Sequence, residues 1–540
     1  MSEINSYGGV SHFANSCYRR GVDQLRSFEN LEQPQLRYLA PSFRQSYAHA
    51  LENRRRKPVA VCYSGNGERI EKDALDFNDD VCFARHSLQK SEAIVVTIAG
   101  NCYEHLVYIT ACFLENKTLC PMNPQDGEAA LQKKLAQLGT PATVLRRQEM
   151  LLGEAPIETF NETSELNRPM VLMFTSGSTG VSKIVEQDEL AILSNVDALI
   201  ERHHLQRPTV IATPLPIFHV NALEFSFLAT LLSGNTFVLF ENFHPQQIVE
   251  SIARDRIDIL SVVPHLLKIL FQRCRHGELS RLLYITTAAA PLGATLAAQL
   301  AKHFPVRVLQ GYGLSEAVNF STMMPSDLTE DEYQRWMTNG VPPIGTELHG
   351  NSLHILDDQA CELRVGEIGE ICVRGWNVMR GYRGEDNRDV FRDGFLHTGD
   401  LGFFKTDEQN RKFFFVTGRK KDVIKRNAVT IGLADIDQLL AQIQLDAIAV
   451  GFTHEIAGEE LAIVLQSADT PDSATTKKIE AFLQQNLPPH QRPRVLAWTS
   501  TSIRTASGKP QRWRLSPGLN FLGSTLLTDD LHIVETELSL

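Results

Sequence analysis

The sequence predicts an α/β protein: a large N-terminal domain of helix-flanked sheets over about residues 1–418, and a small α+β domain over 419–540. Three observations predict it. From about residue 90 to 315, short apolar runs alternate with segments of helical length and periodicity, the pattern of a parallel sheet wrapped by helices. From about 340 to 416 the pattern changes to short strands separated by Gly and Asp, which predicts a compact, barrel-like antiparallel β subdomain. After Arg419 strands and helices mix again on a smaller scale.

Taken in order, SEAIVVTIAG reads as a buried strand and YEHLVYITACFLE as the helix after it. TVIATPLP, TFVLF, IDILSVV, LLYITTAA and VRVLQGYG are strand-like, and ALEFSFLATLLSG, PQQIVESIARDR and PLGATLAAQLAKHF lie between them with helical spacing. DLTEDEYQRWM, between Met323 and Gly345, predicts a charged, solvated helix. GEIGEICVRG and RKFFFVTGR are strands of the β subdomain. In the small domain VIKRNAVTI, AIAVGFT and LAIVLQS predict strands, and LADIDQLLAQI and SATTKKIEAFLQQNL predict helices. From Ser516 onward no element is predicted.

Composition narrows the function classes. With 43% hydrophobic and 22% charged residues, the 540-residue chain is neither disordered nor collagen-like. A net charge of −11 sets nucleic-acid binding behind other readings. Nine scattered cysteines without a C-x-x-C pair predict free thiols in a reducing compartment. No stretch reaches the roughly 18 apolar residues of a membrane span, and MSEINSYGGV does not read as a signal peptide. The expectation is a cytoplasmic protein.

Five segments could carry chemistry. Phe174–Thr175–Ser176–Gly177–Ser178–Thr179–Gly180–Val181–Ser182–Lys183 follows an apolar run; its N–H groups, hydroxyls and lysine suit phosphate oxygens, although it lacks the G-K-[ST] ending of a P-loop. Gln310–Gly311–Tyr312–Gly313–Leu314–Ser315–Glu316 ends a strand, offering an aromatic face for a base and a carboxylate for Mg²⁺. His397–Thr398–Gly399–Asp400 places a carboxylate where it can accept two ribose hydroxyls. Gly418–Arg419–Lys420–Lys421–Asp422 lies at the predicted domain junction, and Ser507–Gly508–Lys509 near the end of the small domain. Singly, each also reads as an ordinary turn, loop or charged surface.

In this order and spacing the set resembles the acyl-adenylate-forming superfamily, which contains acyl-CoA synthetases, aryl-acid ligases, peptide-synthetase adenylation domains and firefly luciferase. Further segments fit: Pro214–Leu215–Pro216–Ile217–Phe218–His219–Val220–Asn221, Ala289–Ala290–Pro291–Leu292, and Gly369–Glu370–Ile371–Cys372–Val373–Arg374–Gly375 with Gly381–Tyr382 beyond. The resemblance runs from about 170 to 515.

It implies an ATP-dependent carboxylic acid ligase that forms an acyl-AMP and pyrophosphate, then passes the acyl group to a pantetheine thiol of CoA or a carrier protein. By this resemblance the loop Thr175, Ser176, Gly177, Ser178, Thr179, Gly180 and Lys183 closes over the β- and γ-phosphates. Tyr312, with Gly313, meets adenine, Ser315 the phosphate, and Glu316 Mg²⁺. Asp400 binds the ribose and Arg419 supports ribose or phosphate. Lys509, on a mobile small domain, reaches between carboxylate and α-phosphate, and Lys421 is the hinge. His219 gates the acyl pocket. The run Phe218–Asn221 lacks the Asp that α-amino-acid-using domains carry, which favours a fatty or aryl acid; Glu224 is expected to face water or cap the following helix. Ala428 stands where the family usually has Gly beside the thiol tunnel, so a loading enzyme acting only on a carrier protein stays open. Two further alternatives are a catalytically silent scaffold and a luciferase-like oxygenase.

Overall fold

The computed structural model describes residues 36–52, 54, 57–153, 169–175, 182–274, 277–290, 292–304, 306–426, 429–443, 445–455, 457–504, 510–522 and 536–537. The helix-flanked sheets expected of the large domain are two. The first has six strands in the order 381–382, 183–187, 171–175, 118–121, 94–98, 142–146. The second has nine, in the order 346–347, 320–323, 307–313, 284–287, 259–262, 210–213, 236–240, 58–63, 69–73. Both are parallel in the middle; the second is antiparallel at both margins, the first only on the side that the hairpin Val171–Thr175/Lys183–Gln187 starts, since strand 142–146 at its other edge is parallel. The middle strands, such as Ile94–Ile98 and Ile259–Val262, are buried along their whole length, as helix-covered parallel strands must be.

Helices fill the space between. Tyr103–Leu114 is buried at every position but Glu104, whereas Pro245–Arg254 turns only Ile248, Ser251 and Ile252 inward. The expected helix ALEFSFLATLLSG forms as a π-helix over Asn221–Ala229 that tightens to α over Thr230–Leu232. The charged helix Glu330–Thr338 is packed rather than simply solvated. Thr329 and Glu332 form its capping box, Tyr333 and Met337 are buried, and Trp336 stacks on Phe413 with centroids 4.4 Å apart.

The β subdomain is an antiparallel sheet of five strands, 351–356, 369–375, 395–406, 391–392 and 412–419. Beyond Arg419 a further sheet takes 423–426, 429–432, 447–454, 458–466, 495–499 and 536–537, covered by Leu433–Ala441 and Ser473–Asn486. VIKRNAVTI is a hairpin of two strands rather than one strand. Arg512–Leu519 is a helix despite Pro517, so the region after Ser516 is not wholly without structure as expected. Its Leu515 and Leu519 are buried against Val450 and Val464, in an apolar cluster separate from the main one.

Candidate functional site

Tyr312, Asp400 and Arg419 come from three strands and meet. Strand Arg307–Gly313 delivers Tyr312, whose hydroxyl donates to Asp400 Oδ2 at 2.7 Å. Asp400 and Arg419 face each other across the hairpin 395–406/412–419, and Arg419 Nε lies 2.9 Å from Asp400 Oδ1. Asp400 is buried, so its charge is balanced mainly by this half-exposed guanidinium. Burial, and then the Asp400 charge, push the Tyr312 phenol well above its usual range, which keeps it neutral and a donor. Gly313 cannot be another residue here. A Cβ on it would sit 1.5 Å from the Asn319 carbonyl, where strand 320–323 turns back against it.

A second group surrounds Glu316, which sits on the 3₁₀ turn Ser315–Ala317. Tyr382 donates its hydroxyl to Glu316 Oε1 at 2.7 Å, and its ring lies under the Lys183 ammonium, 4.5 Å from the centroid. Strand 381–382 pairs with 183–187, which is why these side chains share one place. The Arg419 charge acts on both Tyr382 and Glu316, so the two groups are electrostatically one site. The stem of the expected phosphate loop is the pair Thr175–Lys183, closed by a Ser182 Oγ bond to the Thr175 carbonyl of 2.6 Å. Ser176, Gly177, Ser178, Thr179, Gly180 and Val181 lie outside the described residues, as do Lys509 and Ala428.

His219 is exposed; it precedes the π-helix, with its ring 4.7 Å from that of Phe218. Lys421 is exposed in the turn closed by Asp422 N–H and the Arg419 carbonyl, between the two last sheets. Lys420 N–H donates to the Gly399 carbonyl, tying this turn to the strand that carries Asp400. Glu224 neither faces water nor caps a helix: it is fully buried in the π-helix.

Sequence reasoning missed three contributors. Asn101 organises the segment before His219, donating to the Leu215 and Phe240 carbonyls at 2.9 Å and accepting from Ile217 N–H at 2.8 Å. Gln187 holds the Glu316 turn, donating to the Ser315 carbonyl at 2.9 Å and the Val318 carbonyl at 3.2 Å. Tyr382 is the third; it stands in the Gly381–Tyr382 segment of the motif set, where it was given no role. Near Asp400, Glu370, Cys372 and His397 cluster with metal-ligating atoms mutually within 4.8 Å. That geometry does not make a cation site, because Arg392 Nη2 stands 3.0 Å from His397 Nδ1 and 3.3 Å from Glu370 Oε2, and Lys420 Nζ is 3.4 Å from the same oxygen.

The hairpin stem Thr175–Lys183, the tyrosine–aspartate–arginine trio and a carboxylate on a tight turn stand together in the fold. A family model described as AMP-binding enzyme matches residues 76–383, more than half of the chain. The chain belongs to this family. It is 28% identical over 361 residues to 4-coumarate–CoA ligase 2 of Oryza sativa subsp. japonica, covering 64% of this chain and 62% of that enzyme. The match thus spans less than two thirds of that relative's length. It is 28% identical over 405 residues to sulfoacetate–CoA ligase of Cupriavidus necator, covering 72% of this chain and 76% of the relative. ATP-bound MatB from Rhodopseudomonas palustris shares its fold, with a TM-score of 0.73 at 22% identity over 89% of this chain and 99% of that one. The family resemblance read from the ordered motifs is therefore borne out, and so is the mixed α/β architecture. Among the described residues, no helix is long and apolar enough to cross a membrane.

Proposed function

We propose that the chain is an AMP-forming acid–thiol ligase of the acyl-CoA synthetase kind. It would join a carboxylic acid to ATP as acyl-AMP, release pyrophosphate, and transfer the acyl group to the thiol of CoA or of a carrier-protein phosphopantetheine. The observation that carries this reading is the meeting of Tyr312, Asp400 and Arg419 beside Glu316, Tyr382 and Lys183. A carboxylate is a poor electrophile, and activation requires negative charge on the α-phosphate to be balanced while the acid attacks.

In this reading Tyr312 packs against adenine and Asp400 accepts the ribose hydroxyls, with Arg419 holding the Asp400 carboxylate in place. Lys183 and the 175–180 loop take the β- and γ-phosphates. The Glu316 carboxylate, a hard oxygen donor oriented by the Tyr382 hydroxyl, fits Mg²⁺. Bound there, Mg²⁺ supplies charge neutralisation for the phosphates. Lys509 serves the adenylation step, and Lys421 is the hinge about which the domain beginning at 419 turns for the second. A large domain that ends near 418 is supported by the change of sheet there: strand 412–419 belongs to one sheet and 423–426 to the next.

His219 gates an acyl pocket that takes a fatty or aryl acid rather than an α-amino acid. The relatives named for 4-coumarate and sulfoacetate support a small carboxylic acid. Use of ATP and eight described cysteines without a disulfide suit a cytoplasmic protein. Ala428 supports a second reading, a loading enzyme that serves only a carrier protein. Carboxylate-dependent ATP–pyrophosphate exchange over fatty, aryl and amino acids tests the first half-reaction. CoA added to the acid that works separates the two acceptors.

A further inference from the structure

Glu224 has no part in the chemistry above. It is fully buried on the π-helix, and neither carboxyl oxygen has a hydrogen-bond partner. The side chain it touches is Gln187, also fully buried. The orientation of that amide is fixed by its neighbours. Nε2 gives one hydrogen to the Ser315 carbonyl and the other to the Val318 carbonyl; a flipped amide would set Oε1 against two carbonyl oxygens. Both hydrogens are thus committed, and Gln187 Oε1 is left buried without a donor. An ionised Glu224 would add more acceptors beside it, and among the described residues no charged group acts on it. Burial pushes its carboxyl well above the usual carboxylate range, further than the Gln187 contact offsets.

The turn needs this support. Val318, a β-branched residue, sits in the left-handed region at φ 62°, directly after the segment that presents Glu316.

We propose that Glu224 is a positioning residue: it stays protonated, donates its carboxyl hydrogen to Gln187 Oε1, and thereby holds the Gln187 amide on the Ser315–Val318 turn that presents Glu316. One O–H bond then pairs Gln187 Oε1 with one of the two Glu224 oxygens. What the turn does rests on the ligase reading; the shared proton does not.

Two measurements on the full chain test it. In infrared difference spectra at neutral pH, wild type minus Glu224→Gln should show the carbonyl stretch of a protonated carboxyl. An ionised-carboxylate difference instead would overturn the proposal, whatever the enzymatic activity. In pyrophosphate exchange, Glu224→Gln should keep the KM for MgATP within about twofold, because its amide N–H replaces the O–H. Glu224→Met leaves Gln187 Oε1 unpaired and should raise that KM roughly tenfold with the KM for the acid unchanged. Adding Gln187→Met to Glu224→Met should cost nothing beyond Gln187→Met alone. Equal impairment of Glu224→Gln and Glu224→Met, or a rise confined to the KM for the acid, would overturn the positioning role. No exchange by the wild type with any acid would refute the ligase reading alone, and the infrared result would still decide the proton.

Discussion

Tyr382→Phe removes one hydroxyl and little else. The lost bond is the 2.7 Å donation to Glu316 Oε1, while the ring that lies under Lys183 Nζ at 4.5 Å is kept. A hydrogen bond to an ionised acceptor contributes about 1.5–3 kcal/mol. Tyr382 is only partly buried, so water can replace the hydroxyl and the lower end applies, about 1.5 kcal/mol or roughly tenfold in an equilibrium constant. The expected result is a roughly tenfold rise in the Mg²⁺ concentration giving half-maximal pyrophosphate exchange at saturating ATP and acid. The melting temperature should move by a few degrees at most, since one partly exposed bond is lost. An unchanged Mg²⁺ dependence in a folded variant would refute the assignment of Glu316 to the metal or of Tyr382 to Glu316. A change in the KM for the acid alone would place the pair in a different part of the site.

Asp400→Asn keeps the shape but takes the charge from between Tyr312 and Arg419; the KM for ATP should rise at least tenfold, measured in the same exchange assay. Burial raises the pKa of Glu370, but the hydrogen bond and charge of His397, with Gly399 N–H and Lys420, bring it down to about 2. Its folded value therefore lies below the ordinary 4.5, so its stabilisation is present above that pH and is lost as pH falls from there towards 2. Denaturant midpoints should fall less steeply between about pH 5 and 3 in Glu370→Gln than in the wild type. Lys509→Ala should largely abolish exchange while leaving the melting curve unchanged. Full activity in that variant would remove Lys509 from the adenylation step.

The strands were legible because each is a short apolar run bounded by turn residues, and Ile94–Ile98, Thr236–Phe240 and Tyr284–Thr287 stand where the pattern put them. Their division into two sheets was not. Local alternation is the same whether strand 171–175 pairs with 118–121 or with a strand of the other sheet, and only long-range packing decides. The π-register of 221–229 has no compositional sign, and Pro517 hid the helix Arg512–Leu519. Site residues with glycine beside them were visible: Tyr312 and Arg419 lie at glycine-containing strand ends, Glu316 on the turn that follows Gly313, and Asp400 directly after Gly399 within its strand. Asn101, Gln187 and Glu224 were not, because each matters through buried groups distant in sequence. The Glu370–Cys372–His397 cluster shows the reverse: ligand types alone suggest a metal, and the position of Arg392 removes it.

The central claim is that this site activates a carboxylic acid with ATP. Isotopic exchange of labelled pyrophosphate into ATP, run with and without a panel of fatty, aryl and amino acids, tests it most directly. The account predicts Mg²⁺-dependent exchange that requires an acid from the fatty or aryl class and is lost in Lys509→Ala. Protein that binds ATP yet catalyses no exchange with any acid would contradict it and bring forward the silent-scaffold reading.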